Sequence, residues 1–185
     1  MKEKVVELIE KRKDNFNLLK NKSNEICEAV RIIKTALENN NKIIFCGNGG
    51  SASDANHLAC EFVSRFKKER KALPSISLCS NNSIITAIAN DYSFDDVFKR
   101  QIEALGQKGD VLVAISTSGK SKNVIKALYQ AKNQELKTIL LTGENKTGLE
   151  IDLEINILNK STEQIQEMHI ALGHIVCELC EKDFN

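Results

Sequence analysis

The chain has 185 residues, a formal net charge of +1 and 42% hydrophobic residues. That length and balance are typical of one globular domain with a sizeable core, so we predict a single domain over residues 1–185. A net charge so close to zero offers no overall attraction to nucleic acid or to an anionic membrane, and neither is expected as a partner. No apolar run approaches the ~18 residues of a transmembrane helix. The mixed charge of the first residues predicts no signal peptide.

The six cysteines favour a reducing compartment, and hence a cytoplasmic protein, over a disulfide framework. Most of them stand in apolar contexts that are typical of small buried residues. Cys177 and Cys180 are the one close pair, and they fall in a helical pattern near the end of the chain. A zinc site needs about four ligands, and no second pair is present, so we predict that these two cysteines pack in the core.

The first 40 residues predict two helices. Apolar residues recur there at helical spacing, at Val5, Leu8, Ile9, Phe16 and Leu19, and then at Ile26, Val30, Ile33 and Leu37. Ser23 or Asn24 is the expected N-cap of the second helix. A minimal α/β unit does not need two helices before its first strand. We therefore predict that residues 1–40 are an assembly element and that residues 41–185 form the α/β core.

The rest of the chain alternates predicted strands with predicted helices. Apolar runs predict strands at 43–46, 75–79, 110–115, 137–141 and 153–158. Helical patterns occupy 81–89, 94–105, the stretch up to about 133, and 162–182. The charged segment 66–71 is predicted to be a solvated helix end and loop. This alternation predicts a parallel sheet with helices on both faces, whose ligands bind beyond the carboxyl ends of the strands.

The chain is organised around the stretch from Ile43 to Phe62, which reads as a strand, a glycine-rich turn and a helix. Glycines let the backbone adopt positive φ and approach a ligand, and the N–H groups at the start of the helix can receive an anion or sugar hydroxyls. His57 and Glu61 are one turn apart on one face of that helix, which suits a metal site or an acid–base pair. A purely structural turn and a surface ion pair are the alternatives.

A nucleotide site is a further alternative for this turn, because Gly47-x-Gly49-x-x-Ala52 loosely fits the dinucleotide-binding pattern. That pattern needs an acidic residue at the end of the next strand to hold the ribose. The next predicted strand ends in Leu78-Cys79-Ser80-Asn81-Asn82, without an acidic residue, which argues against a dinucleotide.

A second candidate binding loop follows the strand at 110–115 and carries four hydroxyls, at Ser116, Thr117, Ser118 and Ser121. Hydroxyl donors beside a helix N-terminus can hold a phosphate without an obligatory cation, although Lys120 or Lys122 can add charge. The alternative is a polar connection with helix caps. Gly119-Lys120-Ser121 imitates the end of a P-loop, but Ala114 stands where that motif requires glycine.

The last predicted helix carries Gln166 and His174, which lie ~80° apart around its axis and ~12 Å apart along it. A single histidine on a helix is alternatively an exposed or hydrogen-bonded side chain without a ligand. Spacing alone does not join these two residues to His57 and Glu61.

Four blocks of sequence supply that link. They are GNGGSASDANHLACEF, AIANDYSFDDVF, GDVLVAISTSGKSKNV and IQEMHIALGHIV. In the same order and over nearly the whole chain, they resemble phosphoheptose isomerases of the sugar isomerase (SIS) domain superfamily. The resemblance implies a flavodoxin-like three-layer α/β/α sandwich with a five-stranded parallel sheet, and a homotetramer. The ~12 Å along the helix between Gln166 and His174 favours active sites at subunit interfaces. It also implies conversion of sedoheptulose 7-phosphate to D-glycero-D-manno-heptose 7-phosphate through an enediol, for the heptose of bacterial lipopolysaccharide or capsule.

The same resemblance assigns individual residues. Its substrate-binding positions fall on Asn48, Gly49, Gly50, Glu61, Asn90, Asp91, Ser116, Thr117, Ser118, Ser121 and Gln166. Its zinc positions, for one ion per subunit, fall on His57, Glu61, Gln166 and His174. Glu61 and His174 match its catalytic acid–base pair. The chain departs from many members in the short loop from Glu144 to Ile151, which touches none of these positions.

A non-catalytic SIS-domain tetramer that binds a replication initiator is the alternative from another functional class. Such proteins resemble this chain at Phe66-x-x-Glu69-Arg70 and at 165–169, but they typically lack the histidine that corresponds to His174. The presence of His174 together with His57 and Glu61 favours the enzyme. A sugar-phosphate-sensing regulator is a further option, but it normally carries a DNA-binding segment that is not found in these 185 residues.

Overall fold

This computed structural model describes residues 1–143 and 147–184. Its strands are β1 (Ile43–Gly47), β2 (Ser75–Ser77), β3 (Val111–Ser116), β4 (Lys137–Thr142) and β5 (Leu153–Asn156). Its helices are α1 (Lys2–Lys20), α2 (Ser23–Glu38), α3 (Gly50–Val63), α4 (Asn82–Asp91), α5 (Lys99–Leu105), α6 (Lys122–Asn133) and α7 (Thr162–Glu181). The short loop noted from Glu144 to Ile151 lies partly outside the described residues.

The strands form one parallel sheet in the order β2-β1-β3-β4-β5. This order is the flavodoxin-like one, in which the chain changes direction across the sheet between β1 and β3. Gly47 at the end of β1 is in register with Ile115 near the end of β3. The glycine-rich loop and the serine-rich loop therefore leave the sheet side by side, at the point where such sheets bind ligands.

Two groups of helices cover the two faces of the sheet. β1 and β3 are buried along their whole lengths, which explains why both read as uninterrupted apolar runs. Helices α2, α3 and α7 pack together, whereas α6 packs with α5. Right-handed crossovers place α3 and α6 on opposite faces because their connections run in opposite directions across the sheet. The predicted three-layer α/β/α sandwich is confirmed.

Helices α3 and α7 run parallel to one another and pack closely. Gln166 contacts the start of α3 at Gly50. About two turns further along both helices, Gly173 contacts Leu58. A Cβ atom at Gly173 would stand 2.5 Å from Cδ2 of Leu58, so any larger residue would force the Leu58 side chain or the helices to shift. The close packing matters for function because His174 follows Gly173 directly and is thereby brought to the face of α3 that carries His57.

The N-terminal helices form as predicted, but the two differ in burial. Helix α2 buries an apolar stripe that includes Ile26, Ile33 and Leu37. Along α1, Leu19 is buried, whereas large apolar side chains protrude from the single chain at Val5, Val6, Leu8, Ile9 and Phe16. The assembly role of residues 1–40, and the assignment of the chain to one domain, stay predictions.

The N-cap prediction for α2 was wrong. Ser23 and Asn24 lie inside the helix, and Lys22 occupies the N-cap position without a capping side-chain hydrogen bond. The carbonyl of Lys22 already accepts from the N–H of Ile26, so the N-cap lies one residue before Ser23 and two before Asn24.

The helix predicted over 94–105 is interrupted. A 3₁₀ turn at Phe94–Asp96 comes first, and α5 begins only at Lys99. The side chain of Ser93 accepts from the N–H of Asp95, which fixes the separate turn.

The segment 66–71 follows the end of α3 as a mostly exposed loop, as predicted, except that Arg70 is buried and 9% exposed. Its guanidinium turns inward and donates to main-chain carbonyl groups, as described below.

The prediction for the cysteine pair is confirmed. Cys177 and Cys180 are 3% and 0% exposed, and burial raises the pKa of Cys180 to about 12. Both thiols therefore pack in the core in the protonated form. Within the described parts of the chain, none of the helices combines the length and apolarity required to cross a membrane.

Candidate active site

The loop from Gly47 to Gly50 is shaped by backbone that only glycine tolerates. Gly49 has φ of 56°, and a Cβ atom on Gly47 would stand 2.6 Å from the carbonyl oxygen of Ser51. A Cβ atom on Gly50 would stand 2.6 Å from Nε2 of Gln166. The glycines thus let α3 begin directly under the loop and let the Gln166 amide reach its first turn. The N–H groups of Ala52 and Ser53 donate to the carbonyl of Gly49, so the N–H groups before them are the ones that can receive sugar hydroxyls or an anion.

Three predicted residues meet on the adjoining faces of α3 and α7. Nε2 of His57 lies 3.0 Å from Nε2 of His174 and 3.4 Å from Oε1 of Glu61. The two imidazole rings meet edge to face with centroids 5.1 Å apart. The ring of Phe66 packs against His174 from another side, at 5.4 Å between centroids. The structure therefore joins the proposed acid–base pair to His57 within one chain.

The electrostatic environment favours a neutral His174. Burial and the nearby His57 lower the pKa of the His174 imidazole, and the Glu61 carboxylate opposes that shift. A neutral imidazole offers one nitrogen lone pair, which can accept a proton or bind a cation. One turn before His57, burial raises the pKa of Asp54, and one of its carboxylate oxygens is buried without a hydrogen-bond partner in the described chain.

The donor set fits a zinc ion in part. Two imidazoles and a carboxylate are ordinary zinc ligands, and donors ~2.0–2.1 Å from a tetrahedral zinc lie about 3.3 Å apart, close to the separations at His57. The two short distances, from His57 to His174 and from His57 to Glu61, both involve His57, and the three side chains do not form a complete set of ligands around one point. Among residues 1–143 and 147–184, no group of three His, Cys, Asp or Glu side chains is already arranged to hold a metal ion.

Gln166, the fourth predicted ligand, is placed apart from this cluster. Its side chain lies against Gly50 at the start of α3, whereas His57 is two turns further along that helix. The corresponding distance along the axis is about 10 Å. The structure therefore brings together His57, Glu61 and His174, but not Gln166 with them.

The serine-rich loop is stabilised by short-range contacts. Oγ of Ser116 lies 3.2 Å from Oγ of Ser121, and Oγ of Ser118 accepts from the N–H of Lys120. Gly119 between them has φ of 65°. Ser121 is the N-cap residue of α6 but makes no capping side-chain bond. Because the N–H of Val124 donates to Asn123, the hydroxyls of the loop and the two N–H groups before Val124 are the donors that we expect a phosphate to use.

An open pocket adjoins this loop on the side of α7. It is lined by Thr117, Ser118 and Lys120 of the loop and by Lys160 and Thr162 at the start of α7. Sequence reasoning considered Lys120 but missed Lys160. The position of Lys160 depends on how the segment between β5 and α7 packs against the serine-rich loop. No motif in the sequence marks this lysine.

Asn48 is held by a residue that sequence reasoning did not single out. Asn48 and Asn123 exchange two side-chain hydrogen bonds, each 2.9 Å long, and Asn123 is 3% exposed. Asn123 also accepts from the N–H of Val124 in the first turn of α6. This pair ties the glycine-rich loop to the helix that follows the serine-rich loop. Asn123 lies inside the block GKSKNV, but the block does not reveal its partner.

Asn90 and Asp91 lie at the end of α4, where both are exposed. Asn90 donates to the carboxylate of Asp91 over 2.8 Å. Among the hydrogen bonds of the described residues, none links this pair to the other predicted site residues.

Comparison with known proteins identifies the family of this chain. A family model described as the SIS domain matches residues 10–143. A protein named phosphoheptose isomerase from Nitratiruptor sp. is 52% identical over 151 residues, covering 80% of this chain and 81% of that protein. A protein of the same name from Helicobacter pylori is 50% identical over 159 residues, covering 85% of this chain and 83% of its own length.

Solved structures agree in fold as well as in sequence. The phosphoheptose isomerase GmhA from Neisseria gonorrhoeae has a TM-score of 0.88 and 37% identity, covering 97% of this chain and 98% of its own. A phosphoheptose isomerase from Francisella tularensis has a TM-score of 0.91 and 31% identity, covering 98% of both chains. The chain belongs to the SIS-domain family and, within that family, to the phosphoheptose isomerases.

Proposed function

We propose that this chain is an aldose–ketose isomerase that converts sedoheptulose 7-phosphate to D-glycero-D-manno-heptose 7-phosphate. The observation that carries the proposal is the contact of His57 with both Glu61 and His174, in a chain whose two candidate loops for a sugar and its phosphate leave the sheet side by side. Relatives about half identical over four fifths of the chain bear the name of this enzyme. They do not favour the alternative, a non-catalytic tetramer that binds a replication initiator.

The reaction moves a proton between carbons 1 and 2 of the sugar through an enediol. It needs a base over the carbon and an acid that serves the neighbouring oxygen. We assign the carbon proton to the Glu61 carboxylate and the oxygen proton to His174. His174 is suited to both directions of the reaction because its neutral form takes a proton and its protonated form returns one.

We propose the serine-rich loop as the phosphate subsite. Ser116, Thr117, Ser118 and Ser121 offer hydroxyls there, and the N-terminus of α6 adds its free N–H groups and the positive end of its dipole. Lys120 and Lys160 add positive charge at the edge of the same pocket. Asn48, Gly49 and Gly50 of the neighbouring glycine-rich loop are the proposed contacts of the sugar hydroxyls.

Zinc, one ion per subunit, is the proposed cofactor. His57, Glu61 and His174 would hold it, with Gln166 as a further ligand. When bound, zinc acts as a Lewis acid that polarises the carbonyl and hydroxyl oxygens of the sugar. The separations at His57 and the mixed imidazole–carboxylate donors support this proposal.

We further propose a cytoplasmic homotetramer with active sites at subunit interfaces, which supplies heptose for lipopolysaccharide or capsule. Gln166 lies away from the cluster in a single chain, as expected if a neighbouring subunit completes the site. The protruding apolar side chains of α1 support an assembly role for that helix. Light scattering coupled to size-exclusion chromatography would give the mass of the assembly, and a monomer would contradict the proposal.

The test of function is proton NMR of sedoheptulose 7-phosphate incubated in D₂O with the zinc-loaded protein. An aldoheptose phosphate with deuterium at carbon 2 is the expected product, because an enediol intermediate exchanges its proton with solvent. The same incubation with unphosphorylated sedoheptulose is the matched control and should turn over far more slowly. No product from folded, zinc-loaded protein would overturn the proposed activity.

A further inference from the structure

A buried ion pair lies directly beneath the proton-transfer residues, outside the set of residues assigned to binding or catalysis. The side chains of Arg70 and Glu181 are 1% and 3% exposed, and Nε of Arg70 lies 3.8 Å from Oε2 of Glu181. A buried pair of charges is a weak source of stability, because the cost of desolvation offsets the attraction. Stability alone therefore does not explain the pair, and the hydrogen bonds that each of its two side chains makes suggest its role.

Arg70 holds the end of α3. Its Nη2 donates to the carbonyl of Glu61 over 2.8 Å, and its Nη1 donates to the carbonyl of Phe62 over 2.9 Å. The last carbonyls of a helix have no partner within the helix, and the planar guanidinium satisfies two of them together. One of these carbonyls belongs to Glu61 itself, so Arg70 fixes the backbone that carries the proposed base.

Glu181 holds the segment that follows α3. Its carboxylate accepts from the N–H of Lys67, at 3.0 and 3.1 Å, and from the N–H of Lys68 at 3.3 Å. These bonds occupy its oxygens, which is consistent with the ion pair being longer than a hydrogen bond. Phe66 immediately precedes the anchored residues and packs on the ring of His174. Glu181 is two turns beyond His174 on α7, so it ties that helix to the segment whose Phe66 supports the ring.

We propose that the Arg70–Glu181 pair is a positioning device that fixes Glu61 and His174 relative to each other. One end of the pair holds the backbone of Glu61, and the other holds the segment that places Phe66 against His174. A displacement of about 1 Å at a catalytic group can lower a rate about 100-fold, so such a device acts on turnover. The inference deepens the proposed isomerase function and rests on it for its kinetic test.

The central experiment compares Arg70→Lys with the wild-type protein. Lysine keeps the positive charge beside Glu181, but one ammonium group cannot reproduce the fork that holds both carbonyls. We expect kcat to fall about 10- to 100-fold, with KM for the sugar phosphate within about twofold of wild type. The matched control is Arg31→Lys on α2, where an exposed arginine pairs with Glu28 and touches no part of the site. It should change neither constant.

A second measurement tests the positioning without relying on turnover. Hydrogen exchange of the amides in 64–70, measured on the metal-free protein, should become about tenfold faster in Arg70→Lys and in Glu181→Gln. Exchange rates equal to those of the wild-type protein in both variants would overturn the proposed positioning role, whether or not the chain has isomerase activity. Failure of the proposed function, by contrast, would show as absence of product from the wild-type protein.

Glu181→Gln also decides the case in which Arg70→Lys fails to fold. This variant keeps an acceptor oxygen for the backbone but removes the charge that faces Arg70. A folded Glu181→Gln protein with wild-type kcat would overturn the proposal. The proposal would also be overturned if the fractional loss of activity in either variant equalled the fraction of unfolded protein. In that case the folded molecules would turn over at the wild-type rate.

Discussion

The two halves of the active site are built in different ways. The proton-transfer half lies on two long helices, and its side chains converge because Gly173 lets α7 approach Leu58 of α3. The phosphate half lies on one loop, whose contacts join residues only two to five positions apart, such as Ser116 with Ser121. Helix packing fixes angles and distances for chemistry, whereas a loop of hydroxyls and N–H groups provides binding. Changes in the first half should therefore lower kcat, and changes in the second should raise KM.

The largest effect is expected from Glu61→Gln, which keeps the shape of the side chain and removes its basicity. Loss of a general base lowers turnover by about 10²- to 10⁴-fold, so kcat should nearly vanish while the protein stays folded. Glu103→Gln, at an exposed ion pair on α5, is the matched control. Steady-state kinetics and circular dichroism would check both variants, and turnover like wild type in Glu61→Gln would contradict its assignment as the base.

A second effect concerns His169, which lies on α7 between the two halves and is 1% exposed. Its Nε2 donates to the carbonyl of Thr142 at the end of β4, and burial lowers the pKa of its imidazole to about 4. The unfolded chain protonates this group near its usual pKa of about 6.5, so the folded state binds fewer protons between these values. The stability tied to neutral His169 is thus complete above pH 6.5 and is lost as the pH falls towards 4.

The measurement is urea unfolding at pH 7 and pH 5, at one protein concentration. His169 should account for about 2 kcal/mol of lost stability at pH 5. His169→Gln still offers an N–H to Thr142 but does not titrate. Between pH 7 and pH 5 the variant should therefore lose about 2 kcal/mol less stability than the wild-type protein. Parallel pH curves for the two proteins would show that His169 is not responsible.

A smaller effect is expected from Thr117→Val in the serine-rich loop, which removes a hydroxyl but keeps the volume. A hydrogen bond to a charged phosphate contributes about 1.5–3 kcal/mol, so KM should rise about 10- to 100-fold. kcat should change little, because the proton-transfer half is untouched. Thr35→Val, on the exposed side of α2, is the control for the substitution itself. A fall in kcat at unchanged KM would contradict the assignment of this loop to binding and of the two helices to chemistry.

The smallest effect tests the link between the two loops. Asn48→Ala and Asn123→Ala remove the two ends of the reciprocal amide pair. If Asn123 acts by holding Asn48, the two losses in kcat/KM should overlap, with a coupling energy of about 1 kcal/mol in a double-mutant cycle. Additive losses would mean that each asparagine acts separately.

Much of the fold follows from local patterns. The runs in β1 and β3 are apolar throughout because both faces are covered, and a period of two or of 3.6 is visible without knowledge of the neighbours. The i, i+4 spacing put His57 and Glu61 on one face of α3, and four hydroxyls after β3 marked the second loop. The same patterns were weakest at the ends of elements, as at Lys22 and at the break before Lys99, where one hydrogen bond decides the boundary.

The amino-acid sequence by itself determined the order of the elements, the two loops at the sheet edge and the residue types of the site. Only the tertiary structure decided that His174 meets His57, that Asn123 holds Asn48, and that Arg70 is buried. These contacts join residues far apart in the chain, so they depend on how helices pack across the sheet. Local periodicity reports which face of an element is apolar, but not which partner that face will meet.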